Sequence, residues 1–134
     1  NSVSVLLGNG DGTFGPRTDF GAGVFPNGVA IADLDGDGRQ DIVTTCSPNH
    51  VSVLLGKGDG TFGPRADFFA GDHYPVSVAV ADLNGDGKPD VVTTNGSLEP
   101  QDWDKMRAAY VLLGNGDGTF GARDTQKGKI RGSW

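Results

Sequence analysis

The chain has 134 residues, a formal charge of −6 at pH 7, 23 glycines and a single cysteine, Cys46. The length suits one ordinary domain, and the acidic balance speaks against nucleic acid or an anionic membrane as partner, since both want a basic face. Abundant glycine disfavours long helices, at about 1 kcal/mol for each one in a helix interior, and a lone cysteine forbids an intrachain disulfide.

The first predicted elements lie in residues 3–20. Val3-Ser-Val-Leu-Leu reads as a strand, Gly8-Asn-Gly-Asp-Gly12 as a hairpin turn and the stretch reaching Phe20 as the returning strand. Asn-Gly and Asp-Gly are hairpin-turn dipeptides. A connection over residues 23–27 leads to the apolar run 29–32, then to an acidic loop over 33–41 and a second run over 42–45. Cys46-Ser-Pro-Asn-His50 is a short connection, and Cys46 is expected to pack as a small apolar residue at a strand end.

From here the chain repeats itself. Residues 51–65 copy residues 3–17 at an offset of 48, with Lys57 in place of Asn9, and a fourth run follows over 66–69. A connection over 71–75 leads to residues 78–94, which copy 29–45 at an offset of 49. The next connection, 95–109, is longer, and its Pro100 followed by helix formers predicts one short helix. Residues 111–121 are a third copy of the strand and glycine-rich turn, at an offset of 58 from Val53.

Val- and Ile-rich runs bounded by Gly, Asp and Asn are strand-and-turn chemistry. Four such runs in roughly 50 residues is the size of one β-propeller blade. The predicted fold is all-β, built from propeller blades of four antiparallel strands. The chain holds about two and a half of them: a half blade over 3–22, full blades over 27–70 and 75–125, and a tail, 126–134, of unassigned structure. Phe14, Phe62 and Phe120 are expected to pack between blades. So few blades do not close a ring, so the remaining blades come from a parent chain or from other copies of this one. The sequence reads as an excised or processed piece, without an apolar run long enough to cross a bilayer.

The strongest chemical signal is the spacing of Asp33, Asp35, Asp37, Gly38 and Asp41. Ca²⁺ takes six to eight oxygen ligands, and alternate residues of a tight loop turn their carboxylates toward one point. The expected ligands are Asp33, Asp35, Asp37, the carbonyl of Arg39 and Asp41. The second copy offers Asp82, Asn84, Asp86, the carbonyl of Lys88 and Asp90. Asn84 keeps an oxygen but removes a charge, so the second of the two sites should be weaker. An EF-hand is excluded: the twelfth position holds Thr44 or Thr93 instead of Glu, and the flanks are strands.

The run Asp82-Leu-Asn-Gly-Asp-Gly-Lys-Pro-Asp-Val-Val, with Leu-Leu-Gly-Asn-Gly-Asp-Gly-Thr-Phe-Gly, resembles the FG-GAP/VCBS repeat family. That family includes the integrin α-subunit propeller and several propeller lectins and lyases. The resemblance implies blades with a calcium loop between the first two strands and an extracellular or cell-surface setting.

In an up-and-down blade the aspartate loops and the Gly-Asp-Gly turns share one face, where the copies are nearly identical. The copies differ on the opposite face. There Asp72, His73, Tyr74 and Trp103 are the candidate ligand contacts, suited to a glycan or a protein. The expected role is a non-enzymatic, calcium-stabilised binding or scaffold module of adhesive or lectin-like kind. The alternative is a fragment of a propeller enzyme such as a polysaccharide lyase. Neither His50 nor His73 has a catalytic constellation around it in the sequence.

Overall fold

The computed structural model describes residues 1–72, 74–96 and 109–121. They are all-β and form β1 (Ser2–Val5), β2 (Thr18–Gly21), β3 (Val29–Ala32), β4 (Asp41–Cys46), β5 (His50–Leu54), β6 (Ala66–Phe69), β7 (Pro75–Ala81), β8 (Asp90–Asn95) and β9 (Ala109–Leu112). Among the described residues no helix is long and apolar enough to cross a membrane. The helix expected after Pro100 and the tail 126–134 lie outside the described residues.

Three antiparallel sheets follow one another along the chain: β1-β2, then β3-β4-β5-β6, then β7-β8-β9. Each is a meander in which sequence neighbours pair, as short turns between strands require. The register repeats as the sequence does. Ala30 faces Val43 and Val43 faces Val53 in the second sheet; Ala79 faces Val92 and Val92 faces Val111 in the third.

The second sheet carries the core. Val43 lies on β4, Val51 and Val53 on β5, and all three are buried together with Leu34, Val91 and Leu112. Cys46 is buried at the end of β4 as a free thiol. At roughly 1.5–3 kcal/mol for each large aliphatic side chain taken out of water, this cluster is the main apolar stabilisation of the described fold.

Successive sheets meet through a repeated contact. Phe20 of β2 lies edge-on to Phe62 with ring centroids 4.9 Å apart, and Phe68 of β6 lies edge-on to Phe120 at 5.3 Å. Leu7 lies over Gly60 and Leu55 over Gly118, so close that a Cβ at either glycine would come within 2.8 Å of a leucine methyl. Phe62 and Phe120 therefore pack between sheets as expected. Phe14 does not: it is exposed, because no described sheet lies against that side of β1-β2.

Candidate metal centre

The loop between β3 and β4 is shaped by its own side chains. Asp33 accepts hydrogen bonds from the backbone N–H groups of Gly36 at 2.7 Å, Asp37 at 3.1 Å and Gly38 at 2.8 Å. Asp35 accepts one from the Asp37 N–H at 3.2 Å, and Asp37 one from the Arg39 N–H at 2.8 Å. The chain can coil this tightly because Gly36 and Gly38 adopt φ of 77° and 82°, a region that costs a side-chain-bearing residue strain.

The outcome is a convergence of carboxylates. One oxygen from each of Asp33, Asp35 and Asp37 lies within 4.8 Å of the other two. Two oxygens held about 2.4 Å from a common Ca²⁺ can be no more than twice that distance apart, a condition that every pair among the three meets. The electrostatics agree with a cation receptor. The Gly38 N–H, helped by those of Gly36 and Asp37, holds the Asp33 carboxyl below the usual carboxylate range. Partial burial, together with the like charges of Asp41, Asp37 and Asp33, pushes the Asp35 carboxyl up. A cation there would supply the neutralising charge that Asp35 otherwise lacks. Arg39 relieves part of it, its guanidinium lying 3.3 Å from the Asp37 carboxylate.

Asp41 is not one of the converging three. It is fully buried at the start of β4 and braces the fold. One of its oxygens accepts the Leu34 N–H at 2.7 Å and the other accepts the Gly56 N–H at 2.7 Å, tying the aspartate loop to the glycine-rich turn after β5. Each oxygen keeps a second lone pair, so the brace and a contact with an ion are compatible. The brace was not read from the sequence. Its signal was there in the spacing, since the last aspartate of the loop is also the first residue of the strand beside the turn.

The loop between β7 and β8 reproduces this network. Asp82 accepts the N–H groups of Gly85, Asp86 and Gly87 at 2.7, 3.2 and 2.8 Å. The Asn84 amide oxygen takes the Asp86 N–H at 3.2 Å, as Asp35 takes that of Asp37. The Lys88 N–H donates to Asp86 at 2.9 Å, and Asp90 braces the Leu83 and Gly114 N–H groups at 2.7 and 2.8 Å. The Gly87 N–H foremost holds Asp82 below the usual carboxylate range. The two loops differ in cover: Leu34 is buried and its carbonyl takes the Gly118 N–H from the third sheet, whereas Leu83 is exposed.

The glycine-rich turns lie at the same end of the sheets as the aspartate loops. The alkyl stems of Arg39 and Lys88 lie beside Gly58 and Gly116. Each turn is closed by its own aspartate, with Asp59 accepting both the N–H and the hydroxyl of Thr61 at 2.9 and 2.6 Å. The opposite end holds the connections that differ between copies. The Ser47 N–H donates to the Val24 carbonyl there, and Gly23 lies against Cys46 and His50. Asp72 and Tyr74 are exposed at this end, while His73 and Trp103 lie outside the described residues. Phe25 was not singled out in the sequence, yet it is exposed with a φ of 46°, an uncommon backbone for a side chain of its size.

Successive antiparallel sheets, with an aspartate loop between the first two strands of the second and third, define an all-β repeat protein of the propeller-blade type. The chain belongs to the FG-GAP-like repeat family, whose model matches residues 1–44 and 33–93. Repeats of this family generally serve as structural or binding modules. A search of curated proteins found no match.

Proposed function

We propose that this chain is a calcium-binding repeat module of an extracellular protein, with calcium structural and a glycan or protein ligand on the opposite end of the sheets. The observation that carries the calcium reading is the convergence of Asp33, Asp35 and Asp37 within 4.8 Å in a loop whose hydrogen bonds recur at Asp82, Asn84 and Asp86. Asp33, Asp35, Asp37 and Asp41, with the Arg39 carbonyl, would hold the first ion. Asp82, Asn84, Asp86 and Asp90, with the Lys88 carbonyl, would hold the second. The ion would neutralise carboxylates that otherwise repel one another and so fix the β3–β4 and β7–β8 hairpins.

The ligand reading rests on chemistry and position. Tyr74 and Asp72 are exposed at the end where the repeats differ, and an aromatic face beside a carboxylate suits a sugar ring and its hydroxyls. The direct test of calcium is calorimetric titration of Ca²⁺ into chelator-stripped protein. Saturable heat with two unequal sites is expected. Absence of heat, with a melting temperature unmoved by chelator, would sink the reading. A glycan array probed with the chain and with Tyr74→Ala tests the ligand: binding that the substitution abolishes is expected, and cleavage of an acidic polysaccharide would overturn the non-enzymatic role.

A further inference from the structure

Five asparagines are followed by glycine: Asn9, Asn27, Asn84, Asn95 and Asn115. An Asn-Gly step can modify itself. The glycine nitrogen attacks the asparagine Cγ, ammonia leaves, and the cyclic imide that forms takes up water to give aspartate or isoaspartate. Glycine favours the step because no Cβ obstructs the close approach. The attacking nitrogen must lose its proton, and the carboxamide oxygen must carry the negative charge of the tetrahedral intermediate. A placed proton acceptor and a placed donor to the oxyanion are what speed acyl chemistry of this kind.

The structure sorts the five. Asn95 is buried on β8. After Asn27, the Gly28 N–H donates to the Thr45 hydroxyl at 2.8 Å. Asn9 and Asn115 are exposed, and each side-chain Nδ2 donates across its turn to a threonine hydroxyl, that of Thr13 or Thr119, at 2.9 Å. Among the described residues no carboxylate accepts the N–H of Gly10 or Gly116. Asn84 differs from all four. It is exposed, the Gly85 N–H ends on the Asp82 carboxylate at 2.7 Å, and the Asn84 carboxamide oxygen accepts the Asp86 N–H at 3.2 Å. Its Nδ2 donates to the Asp86 carboxylate at 3.4 Å. A proton acceptor thus sits on the attacking nitrogen and a donor on the oxygen that becomes charged.

We propose that Asn84 is a self-modification site, deamidating through an imide with Gly85, and that the aspartate product completes the second calcium site. Asp82 takes the Gly85 proton as the nitrogen closes on Cγ, and the Asp86 N–H holds the oxyanion. The proton passes to Nδ2, the Cγ–Nδ2 bond breaks and ammonia departs. One water then opens the imide. Entry at the side-chain carbonyl leaves an aspartate in the place that Asp35 holds in the first loop. Entry at the backbone carbonyl leaves isoaspartate, which lengthens the main chain by a methylene and spoils the loop. The gain in affinity rests on the calcium reading, whereas the modification does not. An ion held by Asp82 and Asn84 would engage the proton acceptor and the carboxamide together, so bound calcium should slow the reaction.

Peptide mapping by mass spectrometry tests this on the whole chain, stripped with chelator and aged at mildly alkaline pH. Asn9 and Asn115 serve as internal standards. Asn84 should convert at least about tenfold faster than either. In urea the three rates should converge, because the bonds that single out Asn84 are lost. Asp82→Asn keeps an acceptor for the Gly85 N–H but removes the base, and should abolish the advantage of Asn84 over the other two. Equal rates in the folded parent, or an advantage that survives urea or Asp82→Asn, overturn the proposal. Calorimetry of the aspartate-containing fraction should match Asn84→Asp, with a tighter second site; isoaspartate as the sole product overturns the completed site. Calcium that gives heat and leaves conversion unslowed overturns the protection. Calcium that gives no heat, with Asn84 still leading, sinks the calcium reading and leaves the modification standing.

Discussion

The hairpins β1–β2 and β5–β6 share a sequence and differ in what surrounds them. In the second, β5 lies between two strands and four of its five residues are buried; in the first, β1 has one neighbour among the described residues and none of its four residues is buried. Yet their local geometry is the same. The Asn9 and Lys57 N–H groups each donate to a threonine carbonyl at 2.9 Å, and Gly15 and Gly63 each close on a leucine carbonyl at 2.8 Å. Turn chemistry fixes the shape of the hairpin, while burial, and with it stability, comes from the neighbours.

The largest effect should separate the two hairpins at their leucines. Leu54→Ala should cost about 2–5 kcal/mol, as buried leucine truncations do. Leu6→Ala, at an exposed copy of the same position, should cost about 0.5 kcal/mol. Equal costs in denaturant melts would break the comparison.

Next comes the brace. Asp41→Ala leaves two buried N–H groups without an acceptor, at about 1–3 kcal/mol each. Exchange at Gly56 should accelerate while Gly8, which has no such brace among the described residues, stays as it was. Calcium follows: at a free concentration a hundred times its Kd, each site should add about 2.7 kcal/mol if the ion binds only the folded chain. That gain should appear in the melting of the second and third sheets and leave exchange at Ser4 and Leu6 unchanged.

The loops sharpen the comparison further. Asn84→Asp should tighten the second site and Asp35→Asn loosen the first, each by up to about tenfold, or 1.4 kcal/mol. Calorimetry of the two variants checks the order. The smallest effect is one the hairpins should share. The hydroxyl and N–H of Thr13 hold the Asp11 carboxyl below the usual carboxylate range, and those of Thr61 do the same for Asp59. A carboxylate depressed in the fold stabilises it above its unfolded pKa and loses that contribution as pH falls through the folded pKa. Both turns should therefore be at full strength above the ordinary aspartate pKa of about 4 and weaken together as pH falls below it. Carboxyl NMR titration should give the two aspartates matching curves.

Much of this was legible in the sequence because repetition makes spacing visible. The run 29–32 is β3 without adjustment, and the run 66–69 is β6. The aspartate loops announced their shape through glycines where positive φ is needed and aspartates at alternate positions. What stayed hidden was long-range. Nothing in Val3-Ser-Val-Leu-Leu says that it is half-exposed while its twin at Val51 is buried. Nothing in Phe14 separates it from Phe62, which has Phe20 as its partner.

The sequence by itself determined the strands, the turns and the two acidic loops, because hydrogen bonds within a turn and the period of a strand depend on residues a few positions apart. Only the tertiary structure decided that Asp41 reaches the Gly56 N–H, fifteen residues on, and that Leu34 is roofed by the third sheet while Leu83 is exposed. Burial and bracing depend on which surface another sheet covers, and identical sequences diverge there.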